Sequence, residues 1–402
     1  MIDNKLVLEC ENKLKDIFCQ LEEIALYNQE KVLNAFKKNQ IALRHFAGTT
    51  GYGYGDEGRD KLNCLFADIF NTESAICSPN IVSGTHAISL SLYGILRPGN
   101  TVLSVCGQPY DTLLDIIYAD GVGSLKDYGV KFNSIPLLNG KIDLSTVKKS
   151  LSENMPDMIY IQRSRGYEWR DPICIEDIKN VIEFVRDNGF KGCVFVDNCY
   201  GEFVEKLEPT NVGANVIAGS LIKNPGGGIA YTGGYVCGDK NYIELIQNRL
   251  TAPSIGGEVG SYQAGYQSFF QGVFLAPHTV LQALKGSLLF GAVLSEMGYK
   301  TSPEIGKIPY DITRSIMFND KDKLISFIQT IQENSPIDSH VQVMPWAMPG
   351  YNDEVIMAAG CFVQGSSIEL SADAPIRPPY IAYLQGGLTY EHSKIVIKNL
   401  KL

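Results

Sequence analysis

Apolar positions recur at helical spacing through residues 5 to 45, where Leu14, Ile17, Leu21, Ile24 and Ala25 stand among Glu and Lys. That period predicts two amphipathic helices ahead of the main body. Further on the pattern changes to short apolar runs separated by amphipathic stretches. A-I-C-S-P, T-V-L-S-V, V-K-F-N-S-I-P, M-I-Y-I-Q, V-F-V-D and Y-V-C-G-D-K read as strands, and L-S-T-V-K-K-S-L reads as one of the intervening helices. Strand and helix in alternation predict an α/β domain built on a mostly parallel sheet. From Pro277, T-V-L-Q-A-L-K-G-S-L-L-F-G-A-V-L-S-E-M predicts a helix leading into a smaller α+β domain, with R-S-I-M-F, H-V-Q-V-M-P, A-A-G-C-F-V and S-S-I-E-L as its strands. The expected boundaries are an N-terminal helical arm and interface loop over 1–55, a large α/β domain over 56–275 and a small C-terminal domain over 276–402.

Composition narrows the function classes. Of 402 residues, 45% are hydrophobic and 20% charged, the profile of a soluble globular chain with a sizeable core. A net charge of -9 and a pI near 5.2 argue against a nucleic acid or an anionic membrane as partner. The ten cysteines, Cys10, Cys64, Cys106, Cys199 and Cys361 among them, form no C-x-x-C pair, and the five histidines no H-E-x-x-H. Neither a disulfide framework nor a metal site is expected. The N-terminus lacks the basic and apolar regions of a signal peptide, and no stretch looks apolar for long enough to span a bilayer. The expected location is the cytoplasm.

The candidate chemistry centres on G-S-L-I-K-N-P-G-G-G-I-A-Y-T-G-G, residues 219–234. Lys223 stands between an apolar Leu-Ile pair and a Pro-Gly-Gly-Gly turn, a setting whose burial should lower its pKa and yield the neutral amine that Schiff-base chemistry needs. Upstream, the apolar run Val194 to Val196 ends in Asp197, a carboxylate delivered to the carboxyl edge of the sheet. Such an acid can hold a pyridinium nitrogen protonated, so that the ring acts as an electron sink. The glycines follow the lysine rather than precede it, so this is no Walker-type phosphate loop. A second feature is Ser83-Gly84-Thr85-His86, which opens an apolar helix after a short strand. Ser83 is suited to cap that helix, and its free N–H groups, with no Cβ at Gly84 in the way, make a phosphate seat.

Asp197 followed by Lys223, with Ser220 three residues before the lysine, resembles the fold-type I pyridoxal-phosphate enzymes. Within that group, S-L-I-K-N-P-G-G-G-I-A and V-D-N-C-Y-G-E-F-V-E resemble the aluminium-resistance, YnbB-like proteins, relatives of cystathionine β-lyase and methionine γ-lyase. The resemblance runs from G-Y-G-Y-G to L-Q-G-G-L-T-Y-E-H and implies a seven-stranded sheet and pyridoxal 5′-phosphate as cofactor. It also implies an amino-acid substrate and a homo-oligomer, dimer or dimer of dimers. Lys223 then serves as covalent anchor and base, Asp197 as the pyridinium partner, and Ser220 with Ser83, Gly84, Thr85 and His86 as the phosphate site. Tyr110 takes the place of the family's ring-stacking tyrosine. Tyr52 and Tyr54, on the glycine-rich loop, match the region that reaches a neighbour's cofactor phosphate, although Arg59 departs from the family's Tyr-x-Arg spacing. Arg165, with Tyr54, is a substrate-binding candidate: it lies in the turn Gln162 to Tyr167 at a strand's carboxyl edge, where the sulfur lyases carry an asparagine-proline turn. Arg377 is the candidate for the substrate carboxylate, because Tyr383 stands where many relatives have their arginine. The implied reaction is carbon–sulfur elimination giving a thiol, ammonia and a 2-oxo acid. Aldol cleavage or racemisation would use the same Lys223 and Asp197, and a non-catalytic protein linked to metal tolerance is a further alternative.

Overall fold

The computed structural model describes residues 2–348, 351 and 353–402. Two helices, Asn4–Lys13 and Lys15–Lys38, form the N-terminal arm. Asp3 caps the first by accepting from the Lys5 N–H, which satisfies one of the donors a helix start leaves free. The buried stripe Val7, Cys10, Leu21 and Val32 lies on one face of the arm, and its second helix packs along the long helix Gln267–Glu296.

Seven strands make the large sheet: β1 (Ser74–Ser78), β2 (Thr101–Ser104), β3 (Lys131–Ser134), β4 (Met158–Gln162), β5 (Cys193–Asp197), β6 (Val216–Ser220) and β7 (Gly234–Gly238). Their order is β1-β7-β6-β5-β4-β2-β3. Strands β3, β2, β4, β5 and β6 run parallel, and β7 alone opposes its neighbours β6 and β1. Every residue of β4, β5 and β6 is buried, as expected of parallel strands covered by helices on both faces. Ile159, Val194 and Ile217 enter one core, and Tyr160, Phe195 and Ala218 the other. Because Gln162 is in register with Asp197, and Asp197 with Ala218, the parallel strands end together at one edge. That edge is where an open α/β sheet presents its ligand crevice.

The small sheet consists of β8 (Lys300–Ser302), β9 (Thr313–Met317), β10 (Val355–Ala358), β11 (Ser371–Pro375) and β12 (Ile381–Gln385). It is antiparallel throughout, in the order β10-β11-β12-β9-β8. Three of the expected strands differ from the structure. The run A-A-G-C-F-V contributes only Ala358 to β10, and S-S-I-E-L precedes β11 instead of forming it. The reason is Glu369, whose carboxylate accepts the backbone N–H of Phe362 at 2.8 Å and of Val363 at 2.9 Å. Those donors are satisfied by a side chain, so the apolar run needs no ladder. The stretch H-V-Q-V-M-P is likewise a loop, held against helix Lys321–Glu333 by the Gln329 side-chain amide, which donates to the Val343 carbonyl at 3.0 Å.

The helix expected from Pro277 starts at Gln267 and runs unbroken for 30 residues, with Pro277 inside it. One helix therefore passes across the expected boundary at 275/276. It also corrects the expectation that no stretch is apolar over bilayer length: its most apolar window has a mean hydropathy of 1.2, yet 67% of that window is buried inside the protein. Val273, Val280, Leu284, Leu288 and Val293 on this helix belong to the core.

Candidate active site

The ends of β5 and β6 carry the two residues that the sequence singles out. Asp197 closes β5, is 3% exposed, and accepts the Cys199 N–H at 3.1 Å. Burial is the main influence on its carboxyl group and pushes it up to about 6, against the opposing pull of the Cys199 N–H and Lys223. Past Ser220 the chain makes a tight turn through Lys223 into the short 3-10 segment Asn224–Gly226. A Cβ at Gly226 would lie 1.7 Å from the Leu221 carbonyl oxygen, so no other residue lets the turn close at that point.

Lys223 projects into a cavity of ≈ 300 Å³ lined also by Asp197, Ser220, Gly84 and Tyr110. Its Nζ donates to Ser367 Oγ at 3.3 Å and sits 3.9 Å from the centroid of the Tyr200 ring. The expectation of a lowered lysine pKa is overturned. Burial does draw it down, but Tyr200, Cys199 and Asp197 together push it up by more, and the ammonium is favoured. Tyr200 was not visible in the sequence as a site residue. It lies just after Asp197 in a turn where it adopts φ +71, a left-handed conformation unusual for a side chain of that size. The turn is pinned by buried Arg163, which donates to Asn198 Oδ1 at 3.0 Å and to the Gly201 carbonyl at 2.7 Å.

Opposite the lysine turn stands the start of helix Gly84–Ile95. Ser83 caps it by accepting the His86 N–H at 3.0 Å, while the N–H groups of Gly84 and Thr85 have no partner within the helix. A Cβ on Gly84 would approach Ser220 Cβ to 3.2 Å and Cys199 Sγ to 3.3 Å. Ser83, Gly84, Thr85 and Ser220 therefore meet in one corner of the cavity. His86 contributes its backbone to the cap, but its ring turns away: Nδ1 accepts the Val82 N–H at 3.2 Å. Tyr110, at the start of helix Asp111–Tyr118, places its hydroxyl 2.9 Å from Thr85 Oγ1. Its backbone N–H donates to Gln162 Oε1 at 2.9 Å. Burial and the neighbouring Asp197 hold the Tyr110 phenol well above its ordinary range.

Both proposed substrate arginines are placed outside the cavity lining. Arg165 is fully buried and donates to the Ser302 carbonyl and Ser302 Oγ, both at 3.0 Å, and to Ser315 Oγ at 3.2 Å. It lies 3.6 Å from Asp311. Its guanidinium thus joins the large domain to β8 and β9. Arg377 pairs with Asp353 at 2.9 Å with its side chain 48% exposed. Tyr52 and Tyr54 also stay clear of this chain's cavity, 72% and 68% exposed, with ring centroids 5.6 Å apart. Arg59 braces their loop by donating to the Gly53 carbonyl at 3.0 Å. The small domain fills the remaining wall with Thr313, Tyr351, Asp373, Tyr383 and Gln385, beside Tyr167 of the large domain. Of these, only Tyr383 had drawn comment in the sequence, for standing where an arginine was expected.

The residues fit pyridoxal phosphate. Unpaired helix N–H groups and two hydroxyls suit its phosphate, a buried carboxyl pushed up to about 6 suits a protonated ring nitrogen, and a lysine between them suits its aldehyde. Together with the strand order, this defines the chain as having the fold of the type I pyridoxal-phosphate enzymes. The pyridoxal-5′-phosphate dependent protein YhfS of Escherichia coli shares that fold, with a TM-score of 0.64 at 17% identity over 94% of this chain and 95% of that one. The chain belongs to the methionine γ-lyase family, whose model matches residues 3–401. It is 48% identical to YnbB of Bacillus subtilis over 397 residues, 98% of this chain and 94% of that protein. It is also similar to the crystal structure of a carbon–sulfur lyase involved in aluminium resistance from Clostridium novyi NT, with 51% identity and a TM-score of 0.94 over 98% of this chain and 93% of that chain.

Proposed function

We propose that the chain is a pyridoxal-phosphate-dependent carbon–sulfur lyase that eliminates a thiol from the β- or γ-carbon of a sulfur-containing amino acid. The observation that carries this reading is the convergence of Lys223, Asp197 and the helix start at Gly84 in one cavity. Family membership and the similarity to a carbon–sulfur lyase support the reaction type. When bound, the cofactor supplies an electron sink for the charge left at the substrate α-carbon.

The protein's own residues do the rest. Ser83, Gly84, Thr85 and Ser220 would hold the phosphate, and Asp197 would keep the ring nitrogen protonated. Lys223 is the covalent anchor and, once released by the substrate amine, the base at the α-carbon. Tyr110, which lines the same cavity, would pack against the bound ring, and its hydroxyl would be available to hand a proton to the departing sulfur. Overall one water is consumed: the C–S and C–N bonds break, and thiol, ammonia and a 2-oxo acid leave.

In this reading the protein works in the cytoplasm as a homodimer or dimer of dimers. The exposed pair Tyr52 and Tyr54 supports this, because a braced loop that shows two rings to solvent suits a partner surface. The test is a panel of cysteine and homocysteine thioethers scored for thiol and 2-oxo acid. Equal yields of both are expected, and lost in Lys223→Ala. Release of glycine plus an aldehyde from β-hydroxy amino acids assayed in parallel, or inversion at the α-carbon without thiol, would establish aldol cleavage or racemisation instead.

A further inference from the structure

The cavity wall supplied by the small domain has an unusual charge. Among the described lining residues Lys223 is the one Lys or Arg, against the carboxylates of Asp111, Asp197 and Asp373. Lys223 and Asp197 have roles toward the cofactor. Asp373 does not.

Asp373 lies mid-strand in β11, directly across from Tyr383 of β12. The Tyr167 ring packs against Tyr383 at 5.0 Å and against Tyr351 at 5.7 Å between centroids, and its hydroxyl lies near enough to Asp373 to favour the ionised carboxylate. Asp373 is half-buried, and the part left open gives onto the cavity. Burial pushes its carboxyl group up to about 6, which still leaves it ionised at neutral pH. The arginines that could have neutralised it are engaged with Asp311 and Asp353. The ionised form is favoured by the Tyr167 hydroxyl, the Lys223 charge and the residue's own backbone N–H, and with Lys223 committed to the cofactor the carboxylate keeps lone pairs for a further cation. Three aromatic rings around a carboxylate are the chemistry that recognises an ammonium group, by charge pairing and by attraction to the ring faces.

We propose that Asp373, with Tyr167, Tyr351 and Tyr383, forms the subsite for a positively charged group on the departing thiol. The preferred substrate is then a thioether amino acid whose distal end carries an ammonium. This rests on the lyase reading above. A neutral distal group leaves the cavity-facing carboxylate of Asp373 without a cationic partner from the substrate, and an anionic one meets a like charge there.

The test compares S-(2-aminoethyl)-L-cysteine with the similarly sized S-propyl-L-cysteine and the anionic S-(2-carboxyethyl)-L-cysteine, together with their homocysteine counterparts. The holoenzyme and its Asp373→Asn variant are assayed for kcat/KM. The aminoethyl compound should exceed the propyl one by about tenfold or more, the carboxyethyl compound should be poorest, and in Asp373→Asn the ratio should fall to about one. Equal kcat/KM for the first two compounds, or a preference that survives Asp373→Asn, would overturn the proposal. If none of the compounds is cleaved, the lyase reading fails by itself, and calorimetric affinities of the same compounds for the holoenzyme decide the subsite. Tighter binding of the ammonium compound that vanishes in Asp373→Asn upholds it, and equal affinities refute it. Should Asp373→Asn not fold, Tyr351→Leu removes one ring and should lower the same ratio severalfold; an unchanged ratio counts against the subsite.

Discussion

Replacing Asp197 by asparagine should make the protein without cofactor more stable and its hold on the cofactor weaker. The side chain is nearly the same size, so packing at the end of β5 is kept and the change is mainly one of charge. Burial raises the Asp197 carboxyl from 3.8 to about 6 in the folded state. The folded protein therefore binds this proton more tightly than the unfolded chain does. Stability linked to the group is present at low pH and is lost as pH rises through the interval from 3.8 to about 6. At roughly 1.4 kcal/mol per pKa unit, the ionised form costs about 3 kcal/mol at neutral pH and above, of which about half develops between pH 5 and pH 8. Asparagine does not titrate, so the gap between the variant and the native chain should widen in the variant's favour over that interval.

Toward the cofactor the sign reverses. A charge-assisted hydrogen bond to the ring nitrogen is lost, which should weaken affinity by roughly 1.5 to 3 kcal/mol, or about 10- to 150-fold. Urea unfolding of cofactor-free protein at pH 5 and pH 8, and titration of the cofactor followed by its absorbance, measure the two halves. A stability difference that is independent of pH would refute the burial argument. Unaltered cofactor affinity would refute the pyridinium contact, and a merely structural aspartate would leave it unaltered.

Two further outcomes are expected. Borohydride reduction of the holoenzyme should label a single peptide containing Lys223, and Lys223→Ala should lose the label and at least about 100-fold in turnover; a label elsewhere would displace Lys223 as the anchor. Mixing a Lys223→Ala chain with a Tyr52→Phe, Tyr54→Phe chain should give hybrids with roughly half the native activity, because one site of each pair then holds only intact residues; inactive hybrids would remove Tyr52 and Tyr54 from a shared site.

The large domain could be read from the chain because its parallel strands are buried on both faces. Such strands appear as continuous apolar runs, and a polar residue closing a run, as Asp197 closes β5, marks the crevice edge directly. The small domain was less legible. Its antiparallel strands are short, and Glu369 withdraws the amides of Phe362 and Val363 from any ladder, a side-chain effect that no periodicity carries. Arg165 and Arg377 were singled out by residue type and by their place in the family pattern. Their carboxylate partners, Asp311 and Asp353, are distant in sequence and appear only in the folded chain. The same holds for Lys223. Its apolar flanks correctly signalled desolvation, but the direction of its pKa depends on Tyr200, Cys199 and Asp197, brought round it by a left-handed turn.

The three glycines after Lys223 have a mechanical meaning instead of the phosphate-binding one that such a run invites. A Cβ at Gly227, itself at φ +55, would lie 2.3 Å from the Gly272 carbonyl oxygen, and one at Gly272 would lie 2.4 Å from that of Gly226. Thr279 Oγ1 donates to the Gly227 carbonyl at 3.1 Å. The lysine turn is therefore seated directly on the backbone of helix Gln267–Glu296, which further along packs on β8 and β9 of the small sheet. Since β9 pairs with β12, and β12 with β11, the same helix also supports the strands that carry Tyr383 and Asp373. The lysine proposed as base at the α-carbon and the wall proposed to receive the leaving group are thus both packed on one helix. Their separation is held by helix packing and not by the loops that line the cavity.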